Sequence, residues 1–144
     1  MNTGLPAGFA ERLVADCPDA VIYADAGGHI RYWNAAATRI FGFAESEAVG
    51  KRLDLIIPER LRGRHWEGYD KVMGGAESRY GEGALLAVPA QHKDGRQISV
   101  EFTILPLRDA AGELLGIAAF LRDATARFEE VRALRREIAA LKGG

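Results

Sequence analysis

The sequence predicts an α+β domain: a five-stranded antiparallel sheet with helices on one face, flanked by a helix at either end. Three observations carry this. Two β-rich runs near the start, Ala20–Asp25 and His29–Asn34, flank the glycine-containing turn Ala26-Gly27-Gly28. In the second half Ile98, Val100, Phe102 and Ile104 alternate with Ser99, Glu101 and Thr103, the period of a half-buried strand. The helical patterns are grouped between the two sets of strands and do not alternate with them, which argues against a parallel α/β sheet.

Taken in order, Leu5, Phe9, Leu13 and Cys17 recur every four residues and predict a leading amphipathic helix within residues 1–17. Pro18 ends it, because proline disfavours helix at the residue before it. The hairpin follows. Ala35–Phe41 is rich in helix formers, with Gly42 as its stop, and Ser46-Glu47 opens another short helix before Gly50. Pro58 suits the first turn of a longer helix, Pro58–Met73, which Gly74-Gly75 closes. Arg79, Tyr80 and Glu82 precede a strand over Ala84–Val88, where Pro89 implies an edge or a bulge. Asp94-Gly95 marks the next turn, Asp109–Gly112 the one after the alternating strand, and Leu114–Leu121 a more uniformly apolar strand. Thr125 caps a final helix, so the expected divisions are 1–17, 18–125 and 126–144.

Composition narrows the function classes. With 48% hydrophobic and 27% charged residues the balance is that of an ordinary globular domain, and a net charge of −1 supplies no drive toward nucleic acid or acidic lipid. Cys17 is the single cysteine; it suits a small apolar position on the leading helix and, with no partner thiol, a reducing, cytoplasmic setting. No run approaches the ~18 apolar residues of a membrane span, and the N-terminus lacks a basic start followed by an apolar stretch. No nucleophile elbow, phosphate-binding glycine loop or H-E-x-x-H motif is present, so the expectation is a non-enzyme.

The order of elements carries a set of local motifs: Asp19–Asp25, then Gly28-x-Ile30-x-Tyr32-Trp33-Asn34, Ile40–Phe43, Glu47-x-x-Gly50-Lys51, Leu55–Pro58, Lys93-Asp94-Gly95, and Arg122–Thr125. In this order and spacing, over about residues 18–125, the chain resembles the PAS family. The resemblance implies a sheet cupping a small pocket beneath the middle helices, a sensing or interaction role, and output through the flanking helices. Fold alone does not name the ligand.

Within the long helix Leu61, His65, Tyr69 and Val72 share one face, so His65 lies on the stripe directed to the core. A neutral imidazole facing a pocket can ligate iron, or it can be an ordinary packed histidine. The stretch is also similar to the haem PAS domains of oxygen-sensing nitrogen-fixation regulators, in which Pro-Glu is followed by the ligating histidine at the spacing of Pro58 to His65. Carried over, His65 is the proximal ligand of haem b and Lys71 approaches a propionate. Tyr69 falls one position later than in those sensors, and Leu86 stands in place of their distal arginine, implying an apolar distal side. Trp33 corresponds to a position that flavin-binding PAS domains use, but the cysteine motif of covalent flavin photochemistry is missing. The alternatives to haem are therefore non-covalent flavin or no cofactor.

In the exit helix Val131, Leu134, Ile138 and Leu141 step by 3, 4 and 3, a coiled-coil seam. With the leading helix it predicts a homodimer acting on a signalling partner. The neighbouring arginines read as solvated helix charges and not as a nucleic-acid surface. Two functions follow: a ligand-binding sensor, or a ligand-free interaction and dimerisation module.

Overall fold

The computed structural model describes residues 4–74 and 85–143. The elements are α1 (Phe9–Ala15), β1 (Ala20–Asp25), β2 (Ile30–Trp33), α2 (Ala35–Phe41), α3 (Glu45–Ala48), a 3₁₀ turn (Leu53–Ile56), α4 (Glu59–Met73), β3 (Leu86–Gln91), β4 (Gln97–Arg108), β5 (Leu114–Asp123) and α5 (Thr125–Gly143). The strands form one sheet in the order β2-β1-β5-β4-β3, with every neighbouring pair antiparallel. The first strand thus lies against the last, with Ala20 opposite Leu121 and Ala24 opposite Ile117. Pro89 sits on the edge strand β3, where its missing N–H leaves no ladder bond unmade.

Alternation along the strands sorts the two faces. Ala20, Ile22, Ile98, Val100 and Leu121 point inward and pack with Trp33, Ala37, Phe41 and Ile56. Burying each large apolar side chain of this set stabilises the fold by about 1.5–3 kcal/mol relative to leaving it in water. Asn34 is the buried polar residue within this frame. It caps α2 by accepting from the Ala37 N–H (3.0 Å), accepts from the Val21 N–H (2.9 Å), and donates to the Val14 and Asp19 carbonyls (3.0 and 3.1 Å). One side chain therefore joins α1, β1 and α2.

Three sequence expectations change in detail. The leading helix is shorter than the apolar repeat implied, because none of its residues is buried and packing does not extend it. α4 starts at Glu59, with Pro58 in the extended conformation of a cap (ψ 138°) and not within the first turn. β4 runs well beyond the alternating segment, because β3 pairs with residues 97–102 and β5 with residues 100–108. Thr125 begins α5 as expected: Asp123 Oδ1 accepts from its N–H (2.9 Å) and hydroxyl (2.5 Å), and its oxygen accepts from the Ser99 N–H (3.0 Å). Arg79, Tyr80 and Glu82 lie outside the described residues. No described helix is long and apolar enough to cross a membrane.

Candidate ligand site on the fourth helix

α4 bears the expected stripe. Tyr69 is buried, and Leu61, His65 and Val72 are half-buried. The helix backbone stands off the sheet, and long side chains span the gap. The Tyr69 hydroxyl donates to the Asp25 carbonyl (2.5 Å) and lies 3.2 Å from that of Ala24, so α4 is fastened to the end of β1. Burial pushes the Tyr69 phenol well above its ordinary pKa, and the neighbouring Asp25 charge adds to this; the hydroxyl stays protonated and able to donate.

His65 occupies an aromatic corner. Its ring meets Trp66 edge-on at 4.7 Å and lies 5.8 Å from Tyr69, while Trp66 and Tyr69 are themselves 5.5 Å apart and edge-on. The indole is held from three sides. Trp66 Nε1–H donates to Asp54 Oδ1 (2.6 Å), the Arg52 guanidinium lies 3.9 Å over its ring, and the face of Gly28 packs against it. Gly28 is required there. Its φ of 80° is left-handed, and a Cβ would stand 2.2 Å from the Trp66 ring.

His65 itself is less satisfied. Its Nδ1 is buried with no hydrogen-bond partner among the described residues. A buried polar atom left unpaired costs about 1–3 kcal/mol. Burial holds the imidazole pKa below its ordinary value; Arg52 works in the same direction, and Asp54 and Asp70 work against it. The ring is thus held neutral near pH 7, the form in which histidine binds a metal. Among the described residues no three histidine, cysteine, aspartate or glutamate side chains converge to cage a metal ion by themselves. A neutral imidazole is a group through which a protein can hold a haem iron, and His65 is the residue of this corner that would do so.

The other sequence candidates fall elsewhere. Lys71 is exposed and pairs with Glu67 (3.4 Å) across one turn. Leu86 is half-buried at the start of β3, opposite Phe102. Trp33 is buried in the main core, and its indole N–H is spent on Thr38 Oγ1 (3.0 Å) and the Phe43 carbonyl (3.1 Å). The residues that shape the corner but escaped sequence reasoning are Trp66, Asp54, Arg52 and Gly28. The one legible hint was a carboxylate inside the apolar run Leu53–Ile57, a place where Asp54 would need a partner.

Comparison with known proteins agrees with this architecture. A family profile described as the PAS fold matches residues 14–129. An uncharacterised protein of Azorhizobium caulinodans is 35% identical over 92% of this chain and 18% of its own length. Sensor protein FixL of Bradyrhizobium diazoefficiens is 30% identical over 75% of this chain and 21% of its length. Oxygen sensor protein DosP of Escherichia coli is 28% identical over 78% of this chain and 14% of its length. The chain thus spans between 14% and 21% of these relatives. Among solved structures, an RNA-binding light-oxygen-voltage receptor superposes with a TM-score of 0.73 at 22% identity, over 95% of this chain and 38% of that one. A PAS domain from Colwellia psychrerythraea gives 0.69 at 17%, over 81% and 95% of the two chains. These two likenesses establish the fold; with the profile match over most of the sequence, they show that the chain belongs to the PAS-fold family.

Proposed function

We propose that the chain is a sensory PAS domain whose ligand is haem b, held through His65 on the sheet-facing side of α4, with α5 as the output element. The observation that carries this reading is the neutral His65 imidazole on the half-buried stripe of α4, in the corner formed with Trp66 and Tyr69. When bound, haem supplies an iron that can take a diatomic gas on its open face. The protein's own part is to orient and shield. Trp66 and Tyr69 restrict the imidazole from two sides. Asp54 and Arg52 hold Trp66, and the Tyr69 hydroxyl joins the helix to β1. A displacement of α4 therefore reaches β1, then β5 through their shared ladder, and then α5, which begins two residues after β5 ends. The name of one relative as an oxygen sensor supports the same direction.

The test is absorption spectroscopy after haem reconstitution. A Soret band that shifts or disappears in His65→Ala is expected. No band, or one unchanged by His65→Ala, refutes haem binding through this residue. A second reading, a ligand-free interaction module, is favoured by the internal use of the Trp33, Trp66 and Tyr69 polar groups. It predicts no Soret band and no small molecule retained in native mass spectrometry.

A further inference from the structure

We propose that the groove between the start of α5 and the sheet is a docking site for an acidic, amphipathic segment of another protein. It is independent of the haem reading, because His65 does not line it. The groove has a volume of about 380 Å³. It forms where β5 ends at Asp123 and α5 passes β4. The Ala124 N–H donates to the Ser99 carbonyl (2.8 Å), and Arg127 reaches Glu101 (3.5 Å). Ala87 of the edge strand β3 lines the groove together with Phe128 and Val131 of α5. Phe128 stays 54% exposed and Val131 39%, so the chain's own sheet leaves this apolar surface uncovered.

Charge selects the occupant. Arg127, Arg132 and Arg135 line the groove against a single carboxylate, Glu101. Arg127 is paired with that carboxylate. Arg132 and Arg135 have no ion-pair partner among the described residues. The groove is therefore positive in a chain whose net charge is −1, and the attraction is local to it. Aromatic side chains and arginines are also the residue types enriched where proteins meet. At ~1.5 Å of rise per residue, Arg127 and Arg135 stand about 12 Å apart along the helix. That span exceeds one carboxylate or one phosphate and calls for several anionic groups carried on one chain. Arg132 and Arg135 are one helical turn apart, and acidic residues one turn apart on a partner helix present their groups at a matching ~5–6 Å. A nucleic-acid backbone would use the guanidiniums but gain nothing from Ala87 and Val131. A polypeptide with both carboxylates and aliphatic side chains engages both features of the groove.

The test uses the full chain, immobilised and panned against a random-peptide phage library. Enriched peptides are expected to carry two or more acidic residues beside an aliphatic or aromatic one. Their affinity, read by fluorescence polarisation, should fall about tenfold or more with Arg132→Glu plus Arg135→Glu, because two attractions become repulsions. Phe128→Ser should also weaken binding about tenfold, by removing the apolar anchor. Arg136→Glu, on the same helix but outside the groove, should leave it within about twofold. All four side chains are exposed, and circular dichroism melts of the variants should match that of the parent chain. No enrichment, peptides without acidic residues, or binding indifferent to the groove substitutions would each overturn the proposal. So would an oligouridine RNA that displaces the peptide and binds more tightly, which assigns the arginines to nucleic acid. A dimer in sedimentation equilibrium that Phe128→Ser dissociates, with no peptide bound, gives the groove to a second copy and overturns it as well. The haem test is read at His65 and this one at α5, so either can fail alone.

Discussion

At Asn34 one amide makes four hydrogen bonds while 4% exposed, and together they join three stretches of backbone. The side-chain oxygen serves both as helix cap for α2 and as acceptor for the β1 strand. Asn34→Ala removes the cap, worth about 1 kcal/mol, and strands the buried Val21 N–H, worth about 1–3 kcal/mol. A loss of about 2–4 kcal/mol is expected in urea unfolding at neutral pH. A loss below about 1 kcal/mol would show that water or a backbone shift replaces the amide. His65 is the converse case. It packs on Trp66 and Tyr69, with Arg52, Asp54 and Asp70 near enough to act on its charge, yet its Nδ1 has no hydrogen-bond partner among the described residues.

Among the elements, α4 and the β1–β2 turn act as a pair. The turn offers a flat glycine face, α4 supplies the indole that covers it, and Tyr69 ties the same helix to the end of the same strand. Gly28→Ala forces a methyl-bearing residue into left-handed φ, at about 1–2 kcal/mol, and drives its Cβ into Trp66 at a further ~1–3 kcal/mol. The expected loss is about 2–4 kcal/mol. In a Trp66→Ala background the steric part vanishes and the same substitution should cost only about 1–2 kcal/mol. A double-mutant cycle by denaturant unfolding reads this coupling directly. Strict additivity would mean that indole and turn do not press on each other.

For the molecule as a whole, the middle helices and the sheet are held together at their rim by ion pairs as well as by the core. Lys93, in the β3–β4 turn, reaches Glu47 of α3 at 2.7 Å, and its backbone N–H donates to the Phe41 carbonyl at the end of α2 (2.9 Å). The hydrogen bond from Lys93, aided by the Ala44 N–H, holds the Glu47 carboxyl below the ordinary glutamate range. In acid the unfolded chain therefore takes up this proton before the folded one does. The stabilisation is complete above the ordinary glutamate pKa and is lost as pH falls through the lower, folded value. Thermal midpoints measured from neutral pH into acid should fall, and Glu47→Gln should flatten the slope. Asp25 and Asp94, also held below their ordinary range, keep part of it. Identical slopes in the two proteins would mean the pair contributes nothing, as exposed ion pairs often do.

The sequence by itself determined the five antiparallel strands, the Thr125 start of the exit helix and the inward stripe of Leu61, His65, Tyr69 and Val72. Each of these depends on a period or a turn residue that acts over a few neighbours, so local spacing suffices. For Pro89 the sequence left edge and bulge open, and the sheet order decided for the edge. Only the tertiary structure decided what surrounds His65. The Asp54–Trp66 bond, the Arg52 cation over the indole and the seat on Gly28 join residues from a 3₁₀ turn, a loop, a helix and a hairpin. The family resemblance, and not the period, named Lys71 and Trp33 as site candidates; in the fold Lys71 is exposed and pairs with Glu67, and the Trp33 N–H is spent in the core. A repeat of 3.6 residues says which way a side chain points; it does not say which distant backbone or charge will be waiting there.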